Sequence, residues 1–151
     1  MTSLYKILVF IHIFSAILGM GPGFILMHVV KPAKTMTQLK YAYAIRRQLH
    51  TFTMIGGTLL LITGLLMGFL NRSLFQMGWY VTSLVLFLIA LAMGPIVLAP
   101  KSRPIKHLLE TYKGEDIPEE YTRLSNQLFR YERIENGIFL IIIALMILKP
   151  F

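Results

Sequence analysis

The sequence of 151 residues has no cysteine and only seven acidic residues. The missing cysteine excludes disulfides, thiolate metal sites, iron–sulfur clusters and covalently attached haem. Charge is also absent from residues 7–30, 48–71 and 73–100, and each stretch is longer than the roughly 20 helical residues that cross a bilayer core. Such unbroken apolar runs exclude a soluble domain. The sequence therefore predicts an all-α membrane protein.

We predict a single transmembrane domain over residues 1–151, built as a bundle of four transmembrane helices. Its predicted spans are residues 4–30, 49–70, 79–98 and 129–148, with cytoplasmic connections at residues 31–48 and 99–128. The fourth span is short of uncharged residues, because only 13 residues separate Glu135 from Lys149. It crosses the membrane only if the charged residues at its start lie in the inner interface, where their side chains reach water.

The distribution of lysine and arginine predicts the orientation. Twelve of the fifteen basic residues lie in the first connection or between the third span and Arg133, whereas Lys6, Arg72 and Lys149 lie on the opposite side. Because basic residues are retained in the cytoplasm, both termini are predicted to face outward. The net charge of +8 then indicates contact with the lipid bilayer, and we predict no nucleic-acid partner.

Small residues recur along the predicted spans at helical spacing, and Gly64 and Gly68 form a GxxxG pair. Such pairs let two membrane helices approach closely. The pair serves either packing within one chain, which we favour, or contact between chains. A homo-oligomer or a partner in a membrane complex therefore stays open.

Two spans share a short motif, Met-Gly-Pro, which ends at Pro22 in the first and at Pro95 in the third. Each proline removes one helical hydrogen bond, so both are predicted helix hinges. Two parallel helix-pair repeats would produce this match. The alternative is a chance match in an apolar sequence of low diversity.

His12 lies inside the hydrocarbon layer in the predicted topology, and Thr63 and Ser83 lie at nearly the same depth. An ionisable side chain within the membrane indicates a functional site. The alternative is a neutral imidazole that only forms a hydrogen bond to one of these hydroxyl groups.

A second pair of histidines, His28 and His50, lies at the cytoplasmic ends of the first two spans. Two facing imidazoles would bind haem iron or a metal ion, and Arg46 and Arg47 would then contact the haem propionates. The alternative is that both rings contact only water and lipid headgroups. Apart from this possible haem, we predict no cofactor.

The chain resembles a family of bacterial integral membrane proteins, the domain of unknown function 2269, over essentially its whole length. The resemblance is carried by four short motifs: Phe10-Ile11-His12-Ile13, Thr63-Gly64-Leu65, Gly94-Pro95 and Leu148-Lys149-Pro150. Met20-Gly21-Pro22 departs from the aromatic-then-glycine pattern expected at that place. The resemblance implies a multi-pass protein of the bacterial cell membrane, and no activity.

No nucleophile with a base, phosphate loop or intramembrane carboxylate pair is recognisable in the sequence. This favours a non-enzymatic protein, either a small transporter-like protein or an accessory subunit. The alternative is a haem- or metal-binding redox protein that uses His28 and His50.

Overall fold

The computed structural model describes residues 3–151, and nearly all of this range is helical. Five α-helices follow one another along the chain: α1 (Ser3–Val30), α2 (Met36–Leu70), α3 (Gly78–Met93), α4 (Ala99–Thr111) and α5 (Glu119–Leu148). A 3₁₀-helix lies between α2 and α3, and a π-helical turn joins α3 directly to α4. Residues 3–151 contain no β-strand. The prediction of an all-α protein is confirmed.

Three helical segments are long and apolar enough to cross a membrane: α1, α2 and the continuous helix Gly78–Thr111 that comprises α3, the π-turn and α4. Helix α5 is long enough, but charged residues interrupt its first half. A fourth span within α5 therefore stays a prediction.

Helix α2 begins thirteen residues before the predicted second span, at a clear capping signal. The Thr35 side chain accepts a hydrogen bond from the Gln38 amide at 3.3 Å, and the Gln38 side chain accepts one from the Lys34 amide at 2.8 Å. This reciprocal arrangement is close to a capping box, and it satisfies amides that a helix start leaves unpaired. The predicted second span is therefore preceded by a helical extension, residues 36–48.

Helices α1 and α2 lie antiparallel and cross with their backbones in contact at Gly19 and Gly56. A Cβ atom added to Gly19 would lie 2.7 Å from the amide nitrogen of Gly57, and one added to Gly56 would collide with the Gly19 backbone. Only glycine at both positions permits this approach. The GxxxG glycines also face the same chain, since Gly64 contacts the His12 ring and Gly68 contacts Tyr80.

The two predicted hinge prolines are accommodated differently. Pro22 lies inside α1, which continues as an α-helix to Val30. Pro95 lies in the π-helical turn Gly94–Leu98, where α3 passes into α4. A π-turn allows a local change in the backbone hydrogen-bond pattern without ending the helix. The two Met-Gly-Pro segments thus differ in backbone conformation, and the internal repeat stays a prediction.

The bundle has two ends, which we name by their contents. The terminal end carries the start of α1, the Arg72–Gln76 helix and the end of α5. The connection end carries residues 31–35, α4 and residues 112–118. Its apolar core comprises eight buried side chains: Val30, Met36, Leu39, Ala42, Ile105, Leu109, Tyr121 and Leu128. Helix α5 begins at this end of the bundle, with Pro118 as its N-cap.

The helical extension at residues 36–48 and the start of α5 pack together mainly through this apolar core. The first connection has only basic residues, and all seven acidic residues lie between Glu110 and Glu135. The sequence therefore predicts either attraction between the two segments or a solvated charged face. One observed link is a helix cap, in which the Glu115 carboxylate accepts hydrogen bonds from the amide and hydroxyl of Thr37 at 3.3 and 3.1 Å. These bonds hold the pKa of Glu115 below its usual value.

Candidate functional site

A cavity of about 600 Å³ lies in the half of the bundle next to the terminal end. Side chains of α1, α2, α3 and α5 form its wall, and nearly all of them are apolar, among them Met20, Leu60, Phe87 and Ile142. This volume is in the usual range for a small-molecule site. Two polar side chains from the sequence prediction, His12 and Ser83, also line it.

His12 is fixed in the cavity wall by Thr63. The Nδ1 atom of His12 lies 2.9 Å from the Thr63 hydroxyl oxygen, and that hydroxyl lies 2.7 Å from the Leu59 carbonyl of its own helix. A carbonyl only accepts, so the Thr63 hydrogen points to Leu59 and the hydroxyl accepts from His12. The proton of the neutral ring is therefore assigned to Nδ1. Nε2 is left as a lone-pair acceptor.

Ser83 is fully buried on α3, at 0% exposure, and its hydroxyl has no hydrogen-bond partner within residues 3–151. The buried hydroxyls of Ser15 and Thr63 behave differently, because each donates to a carbonyl one turn earlier in its helix. An unpaired hydroxyl in an apolar interior is unfavourable by about 1–3 kcal/mol. Ser83 is therefore a buried polar residue in the cavity wall whose hydroxyl is unpaired within the described residues.

The C-terminal residues bring a positive charge to the mouth of the cavity. Lys149 ends α5 in the left-handed conformation, with φ of 46°, and Pro150 prevents the helix from continuing. The chain then turns back onto the start of α3, where the Trp79 amide donates to the Phe151 carbonyl at 3.0 Å. The Lys149 ammonium lies 5.2 Å from the centre of the Trp79 ring. Both side chains border the cavity.

The sequence profile of a family described as predicted integral membrane protein, DUF2269, matches residues 6–150. The chain belongs to the DUF2269 family. The resemblance seen in the sequence motifs is thereby confirmed, as is the assignment to integral membrane proteins. No curated protein and no solved structure matches the chain.

The DUF2269 chain has a second polar cluster, at the boundary between the bundle and the connection end. Arg46 of α2 and Glu132 of α5 form an ion pair at 2.5 Å, with side chains only 10% and 9% exposed. Arg46 also donates to the Leu26 carbonyl of α1 at 2.7 Å, so a single side chain ties three helices together. Its guanidinium lies over the Tyr43 and Phe129 rings, at 5.3 and 5.6 Å from their centres.

The residues of the possible haem site differ in exposure in this DUF2269 chain. His28, His50 and Arg47 are exposed, whereas Arg46 is buried and paired with Glu132. Within residues 3–151, neither His28 nor His50 has a hydrogen-bond partner that would fix its ring, and no group of three metal-ligating side chains occurs. Haem binding through these histidines stays a prediction from the sequence alone.

Sequence reasoning placed His12, Thr63 and Ser83 in one layer, and the structure brings all three to the same region of the bundle. It missed the Arg46–Glu132 pair, although one signal was present: both residues precede long apolar runs, on helices predicted to run parallel from the same side of the membrane. Sequence reasoning also used Lys149 only as evidence for the orientation of the chain in the membrane. The left-handed turn that brings Lys149 to the cavity has no clear signature beyond the following proline.

Proposed function

We propose that this DUF2269 protein crosses the bacterial cytoplasmic membrane four times and binds a membrane-soluble ligand in its cavity, acting as a small transporter-like or accessory protein. The observation that carries this proposal is the apolar cavity of about 600 Å³ bordered by the unpaired Ser83 hydroxyl. A polar group left unpaired in an apolar wall is stabilised when a ligand supplies its partner.

The character of the wall supports a ligand that is mostly apolar with one hydrogen-bonding group. The apolar side chains favour partition of such a molecule from the lipid phase. The Ser83 hydroxyl and the His12 Nε2 atom would then select among molecules of similar shape. A polar group that finds no hydrogen-bond partner in an apolar site is energetically unfavourable.

Occupancy can be measured on protein purified from its host membrane and analysed by native mass spectrometry. Ala16 lines the cavity, and phenylalanine at this position would fill part of it. Ala144 on α5 is exposed and does not border the cavity, so Ala144→Phe is the matched control. We expect a bound small molecule in the wild-type protein and in Ala144→Phe, and its loss in Ala16→Phe.

A wild-type protein without any retained apolar molecule would contradict this function. Equal retention by Ala16→Phe and by the wild type would contradict it as well, because the molecule would then be bound on the outer surface as ordinary lipid.

The topology has its own test, because the chain has no cysteine. Single cysteines at Gln38 and Lys113 should resist an impermeant thiol reagent in intact cells, while one at Ser73 should react. Labelling at Gln38 would reverse the orientation. Labelling at Lys113 together with protection at Gln38 would mean that the third and fourth predicted spans are misplaced.

A further inference from the structure

Resting on the proposed ligand function, we infer the class of the ligand: a neutral amphiphile whose polar group donates a hydrogen bond, as the hydroxyl of an alcohol or phenol does. The ligand donates to Nε2 of His12, and Ser83 donates to an oxygen atom of the same molecule. The inference joins two polar groups of the cavity wall, an imidazole nitrogen that only accepts and a hydroxyl without a partner.

The His12 ring can only accept at Nε2, because its contact with Thr63 requires the ring proton at Nδ1. The Thr63 hydroxyl lies 2.7 Å from the Leu59 carbonyl and 3.2 Å from the Leu60 carbonyl, so two acceptors compete for its single hydrogen. The hydroxyl therefore accepts from Nδ1 of His12 at 2.9 Å. The second nitrogen of a neutral ring then carries only a lone pair.

The lone pair of Nε2 has no donor in the part of the chain that the structure describes. Within residues 3–151, the hydrogen bond of the His12 side chain is the one to Thr63. The Tyr80 hydroxyl also borders the cavity, but it donates its hydrogen to the Gly64 carbonyl at 2.9 Å. A ligand that only accepts hydrogen bonds would satisfy Ser83 and leave His12 unpaired, which is unfavourable in an apolar site.

His12 and Ser83 border the same part of the cavity. A Cβ atom added to Gly64 would lie 3.3 Å from Cε1 of His12, and the Gly64 carbonyl accepts from Tyr80. Ser83 follows Tyr80 by about one helical turn on the buried face of α3. The contacts through Gly64 therefore place the His12 ring beside the part of α3 that carries Ser83.

The surroundings of these two groups favour a neutral donor. A carboxylate or ketone oxygen carries no hydrogen, so it would face the Nε2 lone pair with lone pairs of its own. An ammonium group can donate, but no carboxylate side chain within the described residues borders the cavity to balance its charge. Leu60, Leu84 and Phe87 form apolar wall in the same cavity, and they suit the apolar body of the molecule.

Two matched pairs of probes test the donor: dodecanol with dodecyl methyl ether, and 4-octylphenol with 4-octylanisole. Within each pair, only the first molecule carries a hydrogen on its oxygen. We would titrate the full chain in zwitterionic nanodiscs at about pH 8, where an ordinary imidazole is neutral. The fluorescence of Trp79, the only tryptophan of the sequence, reports binding because Trp79 lines the cavity. At equal mole fraction in the bilayer, each hydroxyl probe should bind about five- to tenfold more tightly than its ether.

Three variants assign the two roles. His12→Phe keeps an aromatic ring and removes the acceptor, so the preference for the hydroxyl probes should disappear. Ser83→Ala removes a donor that serves both members of a pair, so both should bind more weakly while the preference remains. His28→Phe is the matched control and should behave as the wild type, because His28 is an exposed histidine of α1 that does not line the cavity.

A second measurement needs no change at His12. In protein labelled with ¹⁵N in its histidines, Nε2 of His12 should give the resonance of an unprotonated imidazole nitrogen. Dodecanol should shift this resonance upfield, because the nitrogen then accepts a hydrogen bond, and dodecyl methyl ether should not. Single replacements of the exposed residues His28, His50 and His107 assign the remaining signal to His12.

The outcomes separate this inference from the proposed function. Equal binding within both pairs, or tighter binding of the ethers, would overturn the donor class and leave the cavity function standing. A preference that survives in His12→Phe, or a His12 resonance that stays unchanged while dodecanol binds, would overturn it as well. If none of the four probes binds, the ligand function of the cavity itself fails.

Discussion

At the connection end, the charged side chain of Arg46 is buried with a carboxylate, a carbonyl and two aromatic rings around it. In the other half of the bundle, Ser83 is equally buried and its hydroxyl has no partner within the described residues. The guanidinium of Arg46 is therefore compensated within the chain, although the second carboxylate oxygen of Glu132, Oε2, also has no partner within the described residues. The contrast is between an ion pair that joins three helices and a hydroxyl that joins none.

The contrast also appears in the apolar packing. Side chains such as Met36, Leu39 and Ile105 are almost completely buried in the connection-end core. Next to the terminal end, a second apolar core that includes Met20, Leu60 and Phe87 packs beside an open volume. A void in an apolar interior loses dispersion contacts, so it is maintained only at some loss of stability.

The largest expected effect is at the ion pair. Replacing Arg46 with alanine leaves the buried Glu132 carboxylate unpaired, and we expect the free energy of unfolding to fall by about 3–5 kcal/mol. Thermal unfolding in detergent would measure this loss. Arg47→Ala is the matched control, because Arg47 is exposed on the next residue of α2. A similar small effect of both substitutions would contradict the structural role of Arg46.

A double variant sharpens this prediction. Replacing Arg46 with methionine and Glu132 with leucine removes both charges and keeps much of the apolar volume. We expect this variant to be more stable than either single variant, because no charge is then left unpaired.

The second effect is at the crossing of α1 and α2. Gly56→Ala places a Cβ atom against the backbone of Gly19 and should lower the free energy of unfolding by about 1–3 kcal/mol. Gly21→Ala is the control, since a Cβ atom there meets no other atom within 4 Å. Chemical unfolding in mixed micelles would compare the two. Equal stability of these variants would mean that the helices do not touch at this point.

The third expected effect is a gain in the free energy of unfolding rather than a loss. Ser83→Ala removes the unpaired hydroxyl and should raise the stability of the ligand-free protein by about 1 kcal/mol. Ser15→Ala should instead lower it, because the Ser15 hydroxyl donates to the Ile11 carbonyl at 2.6 Å. Thermal unfolding of both variants after removal of bound lipid gives the comparison. A loss of stability in Ser83→Ala would indicate that this hydroxyl has a partner.

The smallest effect is at the cap formed by Glu115, which is solvent-exposed. Because hydrogen bonds from Thr37 lower the pKa of Glu115, its contribution is present above the usual carboxyl pKa of 4.5 and is lost as the pH falls through the lowered value. Hydrogen exchange corrected for intrinsic rates should show reduced protection of the Thr37 amide at acidic pH. In Glu115→Gln, the protection of this amide should no longer depend on pH over that range.

The helices could be predicted from the sequence because their signals are local. Uncharged runs mark the apolar parts of α1, α2 and α3, and the sequence Pro118-Glu119-Glu120 marks the start of α5. Helix α4 was missed as a separate element. Its residues include Pro100 and Pro104, and they read as a connection, although Ile105 and Leu109 lie one turn apart and are both buried.

The site was only partly predictable, because tertiary geometry decides which polar groups find partners. Counting residues along the two antiparallel helices α1 and α2 predicts that His12 and Thr63 lie at the same depth in the membrane. The structure places the two side chains in hydrogen-bond contact. The rotation of each helix about its axis does not follow from counting. It determines that Arg46 meets Glu132 while His28 and His50 remain exposed.

The contact between Gly19 and Gly56 also has a consequence for the order of assembly. Helices α1 and α2 are joined by only a few residues, so their close pairing is local in sequence and can form as soon as both have entered the bilayer. The cavity, in contrast, needs side chains from α3 and α5, and its mouth needs Lys149 near the end of the chain. We therefore expect an early helical hairpin without a binding site, to which the later helices add the remaining walls. A bound ligand then reports that the whole chain has finished folding.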